Sequence, residues 1–281
     1  MRENGTVIRS NQNQYVSLVR GLSTKKNREA DKLFRFDGIK LTCEAIAKGV
    51  ELEMLVLREG AEKAVEEKAR ELYNLELCEL NCRILTVSAE IFDKLTEESA
   101  PEGIISVARY QTEMHIDREC DYEGVEYAGE KILLLESVRD PQNMGAIIRV
   151  AAAFSVDRMI ISRDCADIYN SKTVRASMGT VFGMKIDRYA DICDAISLLR
   201  AQGRRVFAAA LDRDAVKLGS FEKNASDCVI IGNEGHGMSG KAIDACDRTV
   251  FIPMAEGVES LNAATAAAVL VWEFFGTGFG R

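Results

Sequence analysis

The chain has 281 residues, 47% of them hydrophobic, with three prolines and a formal net charge of −8. That length holds one large domain or two ordinary ones, and the composition excludes a disordered or fibrous chain. The acidic balance argues against nucleic-acid binding through global charge alone, and no run nears the roughly 18 apolar residues of a membrane span.

Residues 1–30 form a basic extension holding Arg2, Arg9, Arg20, Lys25, Lys26 and Arg28, with a short periodic stretch over Tyr15–Leu22. Its charge suits a phosphate backbone and equally a solvated leader. The first residues lack the apolar core of a secretory signal, so a cytoplasmic protein is expected. Residues 31–110 read as a small α/β/α module. Helices are predicted over Gly38–Lys48 and Ala61–Tyr73, and strands over Leu52–Leu57, Arg83–Val87 and Ile104–Arg109. Ser88 is placed to cap a helix over Ala89–Leu95.

Residues 111–130 are acidic and aperiodic and read as a linker. From 131 to 281 a second series begins, with strands at 131–135, 158–162, 181–186, 205–211, 228–231 and 249–252. Helical patterns fall near 143–153, 191–202, 239–246 and 260–275. Strands alternating with helices predict an α/β fold, a mainly parallel sheet with helices on both faces. The eight cysteines are scattered, and the close pair Cys78 and Cys82 lacks further ligands nearby, so neither a disulfide framework nor a metal site is expected.

Three apolar runs, Ile132–Leu135, Val229–Ile231 and Val250–Ile252, each lead into a polar loop rich in glycine or proline. Ligands of open α/β sheets sit outside the carboxyl ends of strands, so the three loops are expected to share one site. The first, Glu136–Asn143, runs into a helix carrying Arg149 between Ile148 and Val150. A guanidinium there must reach water, a carboxylate or a phosphate. Asn143 is either a helix cap or a site residue. The second loop, Gly232–Met238, is glycine-rich but lacks a Walker ending, and Glu234 would repel a phosphate. Its glycines suit close backbone approach to a flat ligand. The third loop leads to Ser260 and Asn262, either of which can cap the last, alanine-rich helix. No G-x-G-x-x-G follows the first strand of this half, which argues against a nicotinamide dehydrogenase.

These segments carry a resemblance. Asp140-Pro-Gln-Asn-Met-Gly-Ala-Ile-Ile-Arg-Val-Ala, Ile231-Gly-Asn-Glu-Gly-His-Gly-Met, and Ile252-Pro-Met followed by Glu259-Ser-Leu-Asn262 resemble the three motifs of the SpoU (TrmH-type) RNA 2′-O-ribose methyltransferases, in their order and spacing. Asn170–Gly179 is similar to a further family segment. Ser10, Asn13, Lys25, Lys26, Arg28 and Phe36-Asp-Gly38 are similar to the substrate-binding extension of ribosomal-RNA members.

The resemblance implies a trefoil-knotted catalytic domain that binds S-adenosylmethionine and works as a homodimer on RNA. Ribosomal RNA is favoured over transfer RNA as the substrate. By motif position, Gly232, Ile252 and Leu261 would contact the cofactor. Arg149, Asn143, Glu234, Ser260 and Asn262 would form the catalytic set, with no metal. Ser155 departs from the family, which usually has glycine there, and the third motif continues Ala-Ala-Thr-Ala where many members soon have a β-branched residue. The competing reading is a non-catalytic RNA-binding protein; the intact set of motif residues argues against it.

Overall fold

A computed structural model of the chain describes residues 7–119, 122, 124–212, 214–233, 235–257 and 260–276. The chain divides into two compact units. One comprises the residues through Gln111 together with Tyr169–Phe182; the other comprises Thr112–Ile168 and Gly183 onward.

In the first unit, β1 (Leu33–Asp37), β2 (Leu52–Arg58), β3 (Arg83–Val87) and β4 (Ile104–Arg109) form a sheet in the order β1-β4-β2-β3. β4 runs antiparallel to both its neighbours, and β2 and β3 are parallel. Alternate side chains face opposite sides of a strand. Met54, Val56, Ile105 and Val107 therefore meet α1 (Gln14–Gly21) and α5 (Ala89–Leu95), through Val16, Val19, Ile91 and Phe92. On the other face, Ser106 shares a 2.8 Å hydrogen bond with Thr42 of α3 (Ile39–Ala47). Ser88 caps α5 by accepting from the Ile91 amide, as its position predicts.

β1 escapes local pattern reading because it carries Arg35 and Asp37, both buried. Their partners are distant in sequence: Arg35 donates to the Leu95 carbonyl (2.6 Å) and Glu97 (2.6 Å), and Asp37 accepts from Thr96 Oγ1 (2.6 Å). The Tyr169–Phe182 segment, expected within the 131–281 domain, packs with this first unit. Tyr169 stacks on Tyr110 at 3.8 Å between ring centroids, and Phe182 lies 5.2 Å from Phe36.

The second unit holds an eight-stranded sheet. Its strands are β5 (His115–Arg118), β6 (Ile132–Leu135), β7 (Arg158–Ser162), β8 (Lys185–Tyr189), β9 (Val206–Ala209), β10 (Val216–Lys217), β11 (Cys228–Ile231) and β12 (Arg248–Phe251). The order is β10-β12-β9-β11-β6-β7-β8-β5, and each neighbouring pair is parallel. A parallel sheet needs cover on both faces. Ile132, Leu134, Val206, Ala208 and Ile230 pack with Ile196 and Leu199 of α8 (Ile192–Ala201) and Ala242 of α9 (Gly240–Ala245). On the opposite face, Phe207 meets Phe274 of α10 (Ala263–Phe275), which lies beside α6 (Pro141–Ala153).

Two expectations change here. The segment read as a linker contributes β5, whose Asp117 is clamped by Arg188 of β8 at 2.6 and 2.8 Å. The strand expected over 181–186 begins later, at Lys185, after a short 3-10 turn over Thr180–Gly183. The apolar run misleads because β8 buries a carboxylate. Asp187 is fully inaccessible, and it accepts from Arg118 Nε (2.7 Å), Arg158 (2.7 Å) and the Tyr127 hydroxyl (2.7 Å). A buried charge is tolerable when it is paired and fully hydrogen-bonded, and these partners come from three separate segments.

Candidate active site

A cavity of about 500 Å³ opens at the carboxyl ends of β9, β11 and β12. These strands are neighbours in the sheet, and their ends carry Ala209–Leu211, Ile231–Asn233 and Val250–Ile252 into the wall. Gly235–Met238 form one side, and Ser260, Leu261, Ala263 and Ala266 bring the start of α10 to another. None of its described lining residues is an aspartate, glutamate, lysine or arginine. The size and the apolar, backbone-rich lining are those of a small-molecule site.

The glycine-rich loop is a tight hairpin. Asn233 and Gly237 exchange two backbone hydrogen bonds of 3.0 Å each, and the Asn233 side-chain oxygen accepts from the amide of Gly235 at 2.9 Å. A β-carbon on Gly232 would sit 2.6 Å from the backbone carbonyl carbon of Gly237 and from the Met238 nitrogen. Only glycine fits there, because the loop returns against its own start. Gly237 turns the chain with φ +69°.

Gly232, Ile252 and Leu261 all line this cavity, as does Ser260. Asn262 caps α10 by accepting from the Ala264 and Thr265 amides, and its Nδ2 donates to Asn143 Oδ1 at 3.0 Å. The two helix starts are thereby joined at their polar residues. Asn143 is not itself a cap: α6 begins at Pro141, capped by Asp140, which accepts from the Gln142 and Asn143 amides at 2.8 Å each.

Arg149 does not reach the cavity wall. It is exposed on α6 and, among the described residues, has no ion-pair partner. Glu234, Glu259 and Cys120 lie outside the described residues.

The first loop reaches the other two by hydrogen bonds rather than by lining the cavity. Its Glu136 accepts from Ser239, its Ser137 carbonyl accepts from Asn233 Nδ2 (2.8 Å), and it ends at the Asn143–Asn262 bond. Ser137 adopts a left-handed conformation, φ +57°. The Ser162 hydroxyl accepts from its amide at 2.8 Å, and its own hydroxyl donates to Asp164 at 2.6 Å. Burial opposes ionisation of Asp164, but the hydroxyls of Ser137 and Ser162 and the Arg139 guanidinium outweigh it and bring the carboxyl down to about 2.

Sequence reading missed Leu211 and His236, which also line the cavity. The loop after β9 carries no glycine signature to single it out, and His236 sits inside a motif read for its glycines. The thiols play no visible part. Burial pushes Cys165 and Cys228 up to about 11, where they behave as small apolar groups.

Known proteins resemble this chain in sequence and fold. The SpoU rRNA Methylase family profile matches residues 130–272, and an MRM3-like substrate binding domain matches residues 13–106. The 23S rRNA (guanosine(2553)-2'-O)-methyltransferase RlmP of Bacillus subtilis (strain 168) is 30% identical over 270 residues, which cover 96% of this chain and 99% of that protein. Among solved structures, the AdoMet-bound rRNA methyltransferase from Sinorhizobium meliloti superposes with a TM-score of 0.79 at 26% identity, covering 98% of this chain and 99% of the other. The SpoU methyltransferase AviRb from Streptomyces viridochromogenes, in complex with AdoMet, gives 0.77 at 25% identity, covering 93% and 97%. Two motif loops that wall one cavity, a first motif hydrogen-bonded to both, a profile spanning half the sequence and a relative matched along nearly all of its length agree: the chain belongs to the SpoU rRNA methylase family.

Proposed function

We propose that this chain is an S-adenosylmethionine-dependent RNA methyltransferase that modifies a ribose 2′-hydroxyl of ribosomal RNA, in the cytoplasm and as a homodimer. The observation that carries the reading is the cavity at the ends of β9, β11 and β12, walled by the second and third motifs. Its size, uncharged lining and backbone-rich rim suit a nucleoside carrying an apolar sulfonium arm. Gly232, Ile252 and Leu261 hold this cofactor, largely through backbone, and Ser260 borders it. When bound, S-adenosylmethionine supplies a methyl group on a good, neutral leaving group.

The protein must supply the rest. The nucleophile is a weakly acidic alcohol that loses its proton as it attacks. Fixing it in line contributes, in favourable cases, roughly 7–11 kcal/mol. The Asn143–Asn262 pair presents amide groups beside the cavity rim to orient the ribose. Arg149 is a poor base, because guanidinium groups stay protonated in proteins. Its role is electrostatic: exposed and without an ion-pair partner among the described residues, it meets the developing oxyanion and the neighbouring phosphate. Glu234 completes the set by orienting local groups.

Three supporting features bear on substrate and assembly. The MRM3-like match over residues 13–106 supports an RNA-recognition role for the first unit, with the basic extension as part of it. The full-length relative named for a 23S ribosomal RNA nucleotide favours that substrate over transfer RNA. Trp272 and Val269 remain 54% and 37% exposed on α10, an apolar stripe that a second copy would cover. The trefoil knot belongs to the same proposal. The family match over residues 130–272 supports it.

The test is to map 2′-O-methyl sites in ribosomal and transfer RNA from cells lacking the protein and to restore them with purified enzyme and S-adenosylmethionine. One ribosomal site lost and restored is expected. Loss confined to transfer RNA would overturn the substrate, and no loss would overturn the activity.

A further inference from the structure

Glu136 is an unusual residue to find at the end of a central strand. It is 8% exposed, and no lysine or arginine pairs with it among the described residues. Both its oxygens are instead taken by one residue: Oε2 accepts from the Ser239 amide at 2.9 Å and Oε1 from the Ser239 hydroxyl at 2.6 Å. Ser239 follows directly on the glycine-rich loop, and its hydroxyl oxygen also accepts from the Ala242 amide to cap α9. At the other end of that loop, Asn233 divides its side chain. Its oxygen serves the Gly235 and His236 amides, while its Nδ2 donates to the Ser137 carbonyl at 2.8 Å.

The loop is thus fastened at both ends to two consecutive residues of the 136–140 segment. It needs fastening, because glycines at 232, 235 and 237 leave its backbone with wide freedom when unheld. The same segment continues to Asp140, the cap of α6, three residues before Asn143.

We propose that Glu136 and Asn233 are positioning residues of the cofactor cavity. They bolt the cavity's glycine-rich wall to the segment that starts α6, so that wall and the helix carrying Asn143 and Arg149 respond together when the cofactor binds. The inference rests on reading the cavity as the S-adenosylmethionine site. A carboxyl that only supported the fold would change stability. A positioning carboxyl changes ligand affinity and the link to α6 in protein that stays folded.

The experiment uses the full chain and three variants: Glu136→Ala, the milder Glu136→Gln, and Asn233→Asp. The last keeps the oxygen that organises the loop internally and replaces the donor to Ser137 with a charged acceptor, whose direct effect on a sulfonium is separated by comparison with the uncharged thioether of S-adenosylhomocysteine. Calorimetry with S-adenosylmethionine and S-adenosylhomocysteine reads affinity, and amide hydrogen exchange reads the link. Wild type is expected to bind, and binding should slow exchange at the Gln142 and Asn143 amides. Asn233→Asp and Glu136→Ala should melt cooperatively yet bind about tenfold more weakly, a loss on the scale of a hydrogen bond. Their Gly237 amide should exchange faster, and the cofactor should no longer slow the α6 amides. Glu136→Gln, which retains the size and part of the bonding, should fall between, and it carries the test should Glu136→Ala not fold. Folded variants with wild-type affinity and wild-type α6 protection would overturn the proposal. Wild type that binds neither ligand would overturn it by a different route, through the reading of the cavity itself.

Discussion

Arg149 and Ser155 carry the sharpest consequences of single side chains. Arg149 is exposed and lies off the cavity wall, so Arg149→Ala should abolish methyl transfer while S-adenosylmethionine affinity, read by calorimetry, stays within about twofold. Equal loss of both would rule out the electrostatic role. Arg149→Lys keeps the charge but not the planar fork, and should restore only part of the rate. Ser155 stands where family members usually carry glycine, and it adopts φ +53° just after α6. A left-handed conformation costs a residue with a β-carbon about 1 kcal/mol or more. Ser155→Gly should therefore raise stability in chemical denaturation by about 0.5 kcal/mol, the relief being partly offset by the freedom glycine gains when unfolded. At this scale the sequence was readable wherever a residue's role is local. Ser88 and Asn262 are caps, whereas Gly232, read for close approach to a ligand, is forced by the return of its own loop. It was unreadable at Glu136, whose partner Ser239 lies in another loop.

Among elements, the segment between β6 and α6 is held by a small polar network whose pH response can be worked out. The Asp164 carboxyl lies near 2 in the folded protein, below the unfolded value of about 3.9. Its contribution is therefore complete above pH 4 and is lost as pH falls toward 2. Asp164→Asn should lower the melting temperature at pH 6, and the gap from wild type should close between pH 4 and pH 2. Its side chain is 46% exposed, so screening keeps the difference to about 1 kcal/mol or less. A gap unchanged across that range would mean the carboxylate contributes nothing. The elements hardest to read were those whose charges find partners far along the chain. β1, β5 and β8 each contain a carboxylate and an arginine within a few residues, which locally resembles a solvated loop. Where strands were apolar and bounded by turns, as in β3, β4 and β6, their limits were legible. The early end of the expected 205–211 strand, at Ala209, frees Ala210 and Leu211 for the cavity wall.

For the whole molecule, the prediction concerns assembly. Trp272 is 54% exposed, packed edge-on against Phe154 at 5.5 Å. If a second copy covers this stripe, Trp272→Glu should shift the protein from dimer to monomer in sedimentation while S-adenosylmethionine binding persists at reduced strength. A mass unchanged from wild type would reject this face as the interface. The parallel α/β architecture was legible from the alternation of apolar and amphipathic runs; the allotment of Tyr169–Phe182 to the first unit was not, since that depends on aromatic contacts with Phe34, Phe36 and Tyr110.

The late arrival of β11 has an outcome for synthesis. A ribosome that has released the chain only as far as β9 has made both flanks of the sheet's middle but not the strand that belongs between them. Until Cys228–Ile231 emerges, Leu133, Leu135 and Phe207 stand on bare strand edges, which invite pairing with other chains. Sequence-distant pairing slows folding, so newly made protein should spend its first moments as a client of chaperones, and overexpression without them should send it into aggregates.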